Sequence, residues 1–175
     1  MPPIDFITAF GRLLRDGSLR DAYAAHPVQA VESLNLRSCD RSAMLGLNPW
    51  DLEFQAQVLL RKRFEALSNL IPQTCCNLGA DAWPVFSRYA RVSFLEGDHV
   101  TVLDACHFLE YLQQKYSSAI SGSEKNRVRF ARGSWRFSVH FVSRVMVRDR
   151  PRRCLQFLIR INSAHWKEFV VYFAF

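Results

Sequence analysis

Between Ser117 and Ser123 the hydrophobic pattern of this chain changes period, from about 3.6 residues to 2, which restricts the fold more than any other feature. Before that point apolar residues recur at helical spacing. After it, Trp135, Phe137, Val139 and Phe141 alternate with Arg136, Ser138, His140 and Val142. Leu155, Phe157, Ile159 and Ile161 likewise alternate with Cys154, Gln156, Leu158 and Arg160. The run Ser117-Ser118-Ala119-Ile120-Ser121-Gly122-Ser123 separates the two regimes with small and polar residues. The expected fold is α+β: a helical domain over residues 1–120, followed by an antiparallel β-sheet domain over residues 121–175.

Within the first part, Ile4, Ile7, Phe10, Leu13 and Leu14 mark a helix that Gly17 should stop. Ser18 and Asp21 resemble a capping box for Leu19 to Ala25, and Pro27 closes that piece and opens Val28 to Asn35. Short turns are expected over Cys39 to Leu45. Asn48-Pro49-Trp50 starts the longest helix, with Asn as cap and Pro at the first position; Leu52, Gln55, Val58, Leu59, Phe64 and Leu67 carry it to about Asn69. Arg61-Lys62-Arg63 reads as a solvated face with one residue contacting a neighbouring element. Asp81 to Arg91 and Val102 to Tyr116 complete the helices. In the second part Arg127 to Ala131 reads as a short first strand. Turns are expected at Arg148-Asp149-Arg150-Pro151-Arg152 and at Asn162-Ser163-Ala164, and Trp166 to Phe175 as the last strand. The apolar alternating residues, Trp135, Phe137, Val139 and Phe141 among them, are expected to face the core. Val170 to Phe175 is apolar on both faces, so it should be central or covered by a partner.

Charge divides the chain at nearly the same place. Met1 to Glu124 holds 11 Lys/Arg against 14 Asp/Glu, net −3, whereas Lys125 to Phe175 holds 12 against 2, net +10. Such asymmetry points to an acidic partner for the second half. The 49% hydrophobic content over 175 residues suffices for one core or two small ones. No stretch approaches the ~20 apolar residues of a membrane span, and MPPIDFITAFGRLLRDG lacks a basic n-region and cleavage site, so the cytoplasm is expected. The five cysteines, odd in number and scattered, suit free and mostly buried thiols.

The residues offer no visible catalytic site. His26, His99, His107, His140, His165 and the cysteines form no CxxC or HxxxH pair, and Cys106-His107 would diverge by about 100° on a helix. There is no GxSxG, GxxxxGK[ST] or GxGxxG, and Asp98, Asp104 and Glu110 stand apart as carboxylates. Neither a catalytic residue nor a metal ligand is therefore expected in this chain. Binding has better support. A basic, aromatic-containing antiparallel sheet can take an acidic extended peptide as an added strand. Arg136, Arg144, Arg148 and Arg160 would steer and fix its carboxylates, while Val170 and Tyr172 would pack on it. The same inventory could bind RNA through aromatic stacking. The aromatics, however, sit at positions expected to face the core, which favours a peptide over nucleic acid.

The helical segment RKRFEALSNLIPQTCCNLGADAWPVFSRYA, the later DACHFLEYLQQK and the sheet beyond resemble the small partner proteins of multinuclear non-haem iron-dependent oxidative enzymes that modify ribosomally made peptides. The residues that carry the likeness are Arg63, Leu67, Leu70-Ile71-Pro72-Gln73-Thr74, Leu78-Gly79, Phe86, Tyr89-Ala90, Asp104-Ala105 and Phe108, within about Trp50 to Lys115. The thiaglutamate type is the nearest in pattern, with the methanobactin partner related in role. The resemblance implies a non-catalytic subunit with no cofactor of its own. It would bind the leader of a precursor peptide and present its cysteine to a TIM-barrel enzyme that holds the iron. It also implies that the leader adds to the sheet as a β-strand. The alternative class is a nucleic-acid-binding regulator, since related helical segments occur in proteins suspected of binding DNA.

Overall fold

The computed structural model describes residues 3–93, 95, 100–147, 150–162 and 165–173, apart from the side chains of Arg144, Met146 and Pro151. It is an α+β fold with helices α1 (Phe6–Arg15), α2 (Gly17–Ala25), α3 (Pro27–Ser33), α4 (Arg41–Leu45), α5 (Pro49–Leu70), α6 (Pro72–Leu78), α7 (Ala82–Val92), α8 (Val100–Lys115) and α9 (Gly122–Arg132). A three-stranded antiparallel sheet follows: β1 (Phe137–Val147), β2 (Arg150–Arg160) and β3 (Trp166–Tyr172). The chain divides into two compact units, residues 1–64 with 84–94, and residues 65–83 with 95–175. The division cuts through α5 and α7 rather than following the change from helix to strand.

Local signals in the first unit act much as expected. Asn48 Oδ1 accepts from Trp50 N at 2.9 Å, so the Asn-Pro start of α5 is a working cap. Pro27 opens α3 in the same way. At α2 the cap is two residues earlier than expected: Asp16, not Ser18, accepts from Ser18 N and Leu19 N. Gly17 therefore starts α2 instead of merely ending α1. A side chain there has no room, because a Cβ would lie 2.3 Å from Arg91 Cγ and 2.9 Å from Arg91 O. The apolar core of this unit gathers Ala9, Leu13, Tyr23, Val31, Met44 and Leu52. Tyr23 takes its hydroxyl into that core because it donates to the carbonyls of Met44 and Leu47, which offsets the loss of water.

In the second unit, α6 is held from outside its own sequence. The buried Glu124 carboxylate at the start of α9 accepts from Gln73 N at 2.6 Å, Thr74 N at 2.8 Å and Thr74 Oγ1 at 2.7 Å. These are N–H groups that a helix start leaves without internal partners, and a negative charge is favoured there. Ser121 N donates to Thr74 Oγ1 at 3.0 Å and closes the junction. α6 ends at Gly79, whose φ of +58° suits glycine.

The expected strand over Arg127 to Ala131 is instead the second half of α9. Val128 and Phe130, two residues apart, imitate strand alternation, but α9 lies between α8 and the sheet and buries both sides. The Cys106 thiol meets Val128 O at 3.9 Å, whereas Phe130 packs edge-on against Trp166 with ring centres 6.1 Å apart. The change to strand geometry comes after Gly133.

Candidate functional site: the sheet edges and its uncovered face

The three strands lie in the order β1-β2-β3, so β1 and β3 are its edges among the described residues. Pairing runs from Phe137–Ile159 to Val147–Arg150 between β1 and β2, and from Arg160–Trp166 to Cys154–Tyr172 between β2 and β3. Arg160 N donates to Arg136 O and Phe173 N to Arg153 O. In an antiparallel ladder these two bonds fix the alternation. On β3 it turns the main-chain N–H and C=O of Glu168, Val170 and Tyr172 away from β2, towards the open edge. On β1 the outward groups belong to Phe137, Val139 and Phe141. A β-bulge interrupts the β1 register between Val142 and Val145, whereas β3 pairs without interruption from Trp166 to Tyr172. A regular edge is the better template for an added strand.

The two faces of the sheet are reversed relative to expectation. α9 packs on the face carrying Val142, Gln156, Arg160, Trp166 and Glu168, and Gln156 is fully buried there. Its Nε2 donates to Ser123 O at 2.9 Å and to Glu168 Oε1 at 2.7 Å, and its Oε1 accepts from Asn126 at 3.1 Å. With those bonds a polar side chain can be buried at little cost. The apolar alternants point the other way: Phe137 and Phe141 are 56% and 60% exposed, and Val139, Ile159, Phe169 and Val171 are also exposed. Trp135, too, is exposed. The reason is one of pairing: Gln156, Glu168 and Arg160 have polar partners beneath them in α9 and its flanks, and Ser138 pairs with His140 along its own strand, so burial of that face is affordable.

The expected site residues separate accordingly. Arg136 is exposed and directly precedes β1, while Val170 and Tyr172 lie on the opposite edge strand. β3 is thus an edge rather than a central strand. Arg160 is committed to the fold: Nη2 donates to the carbonyls of Phe130 and Gly133, each at 2.7 Å, and Nε donates to Trp135 O at 3.2 Å. Phe130 O, and Ala131 O at 3.3 Å from the same Nη2, belong to the last turn of α9, whose carbonyls a helix C-terminus leaves unpaired, so Arg160 caps α9. Arg144 lies on β1 with its side chain outside the described part, and Arg148 lies outside the described residues, as do Asp98 and His99. On the apolar face Arg153 and Lys167 sit at the margins. Register parity from the paired strands was the signal that would have assigned them.

The candidate chemistry-bearing groups are engaged elsewhere. Among the described residues no three His, Cys, Asp or Glu side chains come together as metal ligands. All five cysteines are free; Cys106 and Cys154 are buried, whereas Cys39 and Cys76 are exposed. Burial, reinforced by the Glu124 charge, pushes the Cys75 thiol up to about 11, so it stays protonated. His140 Nε2 lies 2.5 Å from Ser138 Oγ, and burial lowers its pKa, which keeps the ring neutral. No described helix is long and apolar enough to cross a membrane.

The residues that carry the family resemblance occupy structural positions. Phe86, Ala90, Ala105 and Phe108 are fully buried, Tyr89 and Asp104 nearly so, and Gln73 and Thr74 receive the Glu124 cap. Arg63 stacks over Phe86 and Tyr89, 5.7 Å from each ring centre, and donates to Ser93 O at 2.7 Å. Within the Arg61-Lys62-Arg63 run, Arg63 thus contacts a neighbouring element, as expected of one of the three. Comparison with protein-family models, with curated proteins and with solved structures gave no match.

Proposed function

We propose that this chain is the non-catalytic, peptide-recruiting subunit of an iron-dependent peptide-modifying oxidase of the thiaglutamate type. In this reading an extended acidic leader of a ribosomally made precursor adds to the sheet at β3. A separate TIM-barrel subunit holds the iron and modifies the precursor's cysteine. The observation that carries the reading is the β3 edge, with main-chain groups on Glu168, Val170 and Tyr172 that no described residue takes, beside an apolar face that is exposed. Main-chain bonds supply affinity to an added strand, and side-chain pockets and charges supply specificity. The net charge of +10 over residues 125–175 suits an acidic segment.

Fluorescence anisotropy of a labelled thiaglutamate-type leader peptide tests this. Val170→Pro removes one outward N–H without touching the β2–β3 ladder and should weaken binding at least ~10-fold. Lys167→Glu should weaken it and flatten its salt dependence. Unchanged affinity in Val170→Pro would sink the strand-edge reading, and precursor modification by the iron subunit without this chain would sink the assignment as a partner.

A second reading draws support from the same sheet, because its exposed Phe137, Phe141 and Phe169 could stack bases in a basic setting. The core-facing placement that spoke against nucleic acid does not hold. What favours protein is the aliphatic character of the intervening Val139, Leu155, Ile159 and Val171. Binding of single-stranded RNA or DNA that falls steeply with salt, with loss on Phe141→Ala, would favour the nucleic-acid reading.

A further inference from the structure

A groove of about 410 Å³ lies between α8 and α9, apart from the strand edges and from the uncovered sheet face. Its floor is apolar, formed by buried Leu109 and Val128 with the Cys106 thiol. Trp135, largely exposed, stands at its wall. Lys125, Arg129 and Arg132 follow one another at i, i+4 and i+7 on α9, so they share one helix face along the groove. Across from them Glu110 of α8 is the single carboxylate among the described lining residues.

The three cations are not equally engaged. Lys125 Nζ donates to Gln113 Oε1 at 2.6 Å. Arg132 Nη1 stands 4.0 Å from Glu110 Oε1 in a half-exposed pair, which contributes little by itself. The Arg129 guanidinium has no hydrogen bond or ion pair among the described residues. At the end of α9 the free carbonyls are already taken by Arg160, so they do not neutralise this charge. The groove thus combines an apolar floor, a flat aromatic wall and two positive charges in excess of Glu110.

We propose that this groove binds an apolar group bearing a carboxylate. A guanidinium fork matches a carboxylate in two-point contact, and the floor and Trp135 ring accept an apolar body. A phosphate would leave the apolar floor unused. The same chemistry is available from an acidic residue beside an aromatic one in a peptide, and from a free arylalkanoic acid. The proposal is independent of the strand-edge reading, since α8, α9 and Trp135 supply none of the β3 edge.

The test uses the whole chain and 3-phenylpropionate, followed by the indole N–H resonance of Trp135, which Trp135→Phe identifies. Saturable shifts of that resonance are expected, with 3-phenylpropanamide at least ~10-fold weaker and Arg129→Glu weakening the acid at least ~10-fold. Arg129 is exposed, so circular dichroism should show the variant folded; Arg129→Ala, measured alongside, should also bind more weakly. Equal binding of acid and amide, unchanged affinity in both Arg129 variants, or no saturable Trp135 shift overturns the site. Displacement of the acid by acetyl-Phe-Glu-amide assigns the groove to peptide carboxylates, and failure to displace it assigns the groove to free acids. If Val170→Pro abolishes leader binding while the acid still binds, the two sites are separate; loss of the acid site alone leaves the strand-edge reading standing.

Discussion

In the first unit buried charge serves a closed apolar core, whereas in the second a buried polar row under α9 leaves an apolar sheet face in solvent. Arg20 is almost wholly buried, yet its Nε donates to Glu53 at 2.8 Å and its Nη1 to the carbonyls of Leu13 and Leu14. Glu53 also receives Arg91, which pairs with Asp21 as well. These contacts join α1, α2, α5 and α7 around Leu13, Tyr23 and Met44. Gln156, Asn126, Glu168 and Arg127 do the corresponding work beneath the sheet. There, satisfying the polar face frees Phe137, Phe141 and Phe169 for something outside the unit. The difference teaches that alternation marks two faces but not which one is buried; hydrogen-bond partners decide that.

The sharpest way to break this contrast is to make the same substitution in both units. Phe86→Ala, at a fully buried ring, should cost about 3–5 kcal/mol in urea unfolding. Phe141→Ala should cost far less, because that ring is already 60% exposed; equal losses would mean that the sheet face is covered in the free protein. Next in size, Glu124→Ala strands three donors at the start of α6 and should destabilise by about 3 kcal/mol, measured by the same unfolding curves. A somewhat smaller loss, about 2 kcal/mol, is expected for Gln156→Leu, which keeps volume but leaves Ser123 O and the Asn126 amide without their partner. If Gln156→Leu is neutral, polar satisfaction does not set the orientation of the sheet.

The smallest effect concerns pH in the first unit. Burial raises the Glu53 pKa, but hydrogen bonds from Gln57 and Arg20 and the charges of Arg20 and Arg91 outweigh it, leaving the carboxyl below its ordinary 4.5. Its folded value is depressed, so its stabilising contribution is complete above the unfolded value and is lost as pH falls through the folded one. Thermal unfolding of Glu53→Gln should therefore depend less on pH below about 4.5 than that of the wild type. Identical acid profiles would remove Glu53 from the network.

Elements governed by neighbours in sequence were legible. Asn48-Pro49 announced α5, Pro27 announced α3, and the alternation in β1 and β2 announced strands, because caps and periodicity are local properties. The α9 helix was not legible: packing against α8 on one side and the sheet on the other scatters Val128 and Phe130 off a single stripe. Of the candidate site, Val170 and Tyr172 were found on an edge strand, but their outward main-chain groups depend on register with β2. Arg160 was legible as a cation and illegible as a cap, since the carbonyls it takes come from Phe130 and Gly133, about thirty positions away.

The sequence by itself determined an α+β chain, the place where helix gives way to strand to within about sixteen residues, and the concentration of positive charge in the last fifty-one residues. Those follow from local propensity, period and counting. Only the tertiary structure decided that the apolar side of the sheet faces outward, that β3 is an edge, and that the basic face of α9 borders an apolar groove. Each of these turns on which distant groups supply hydrogen-bond partners, and period and charge carry no record of that.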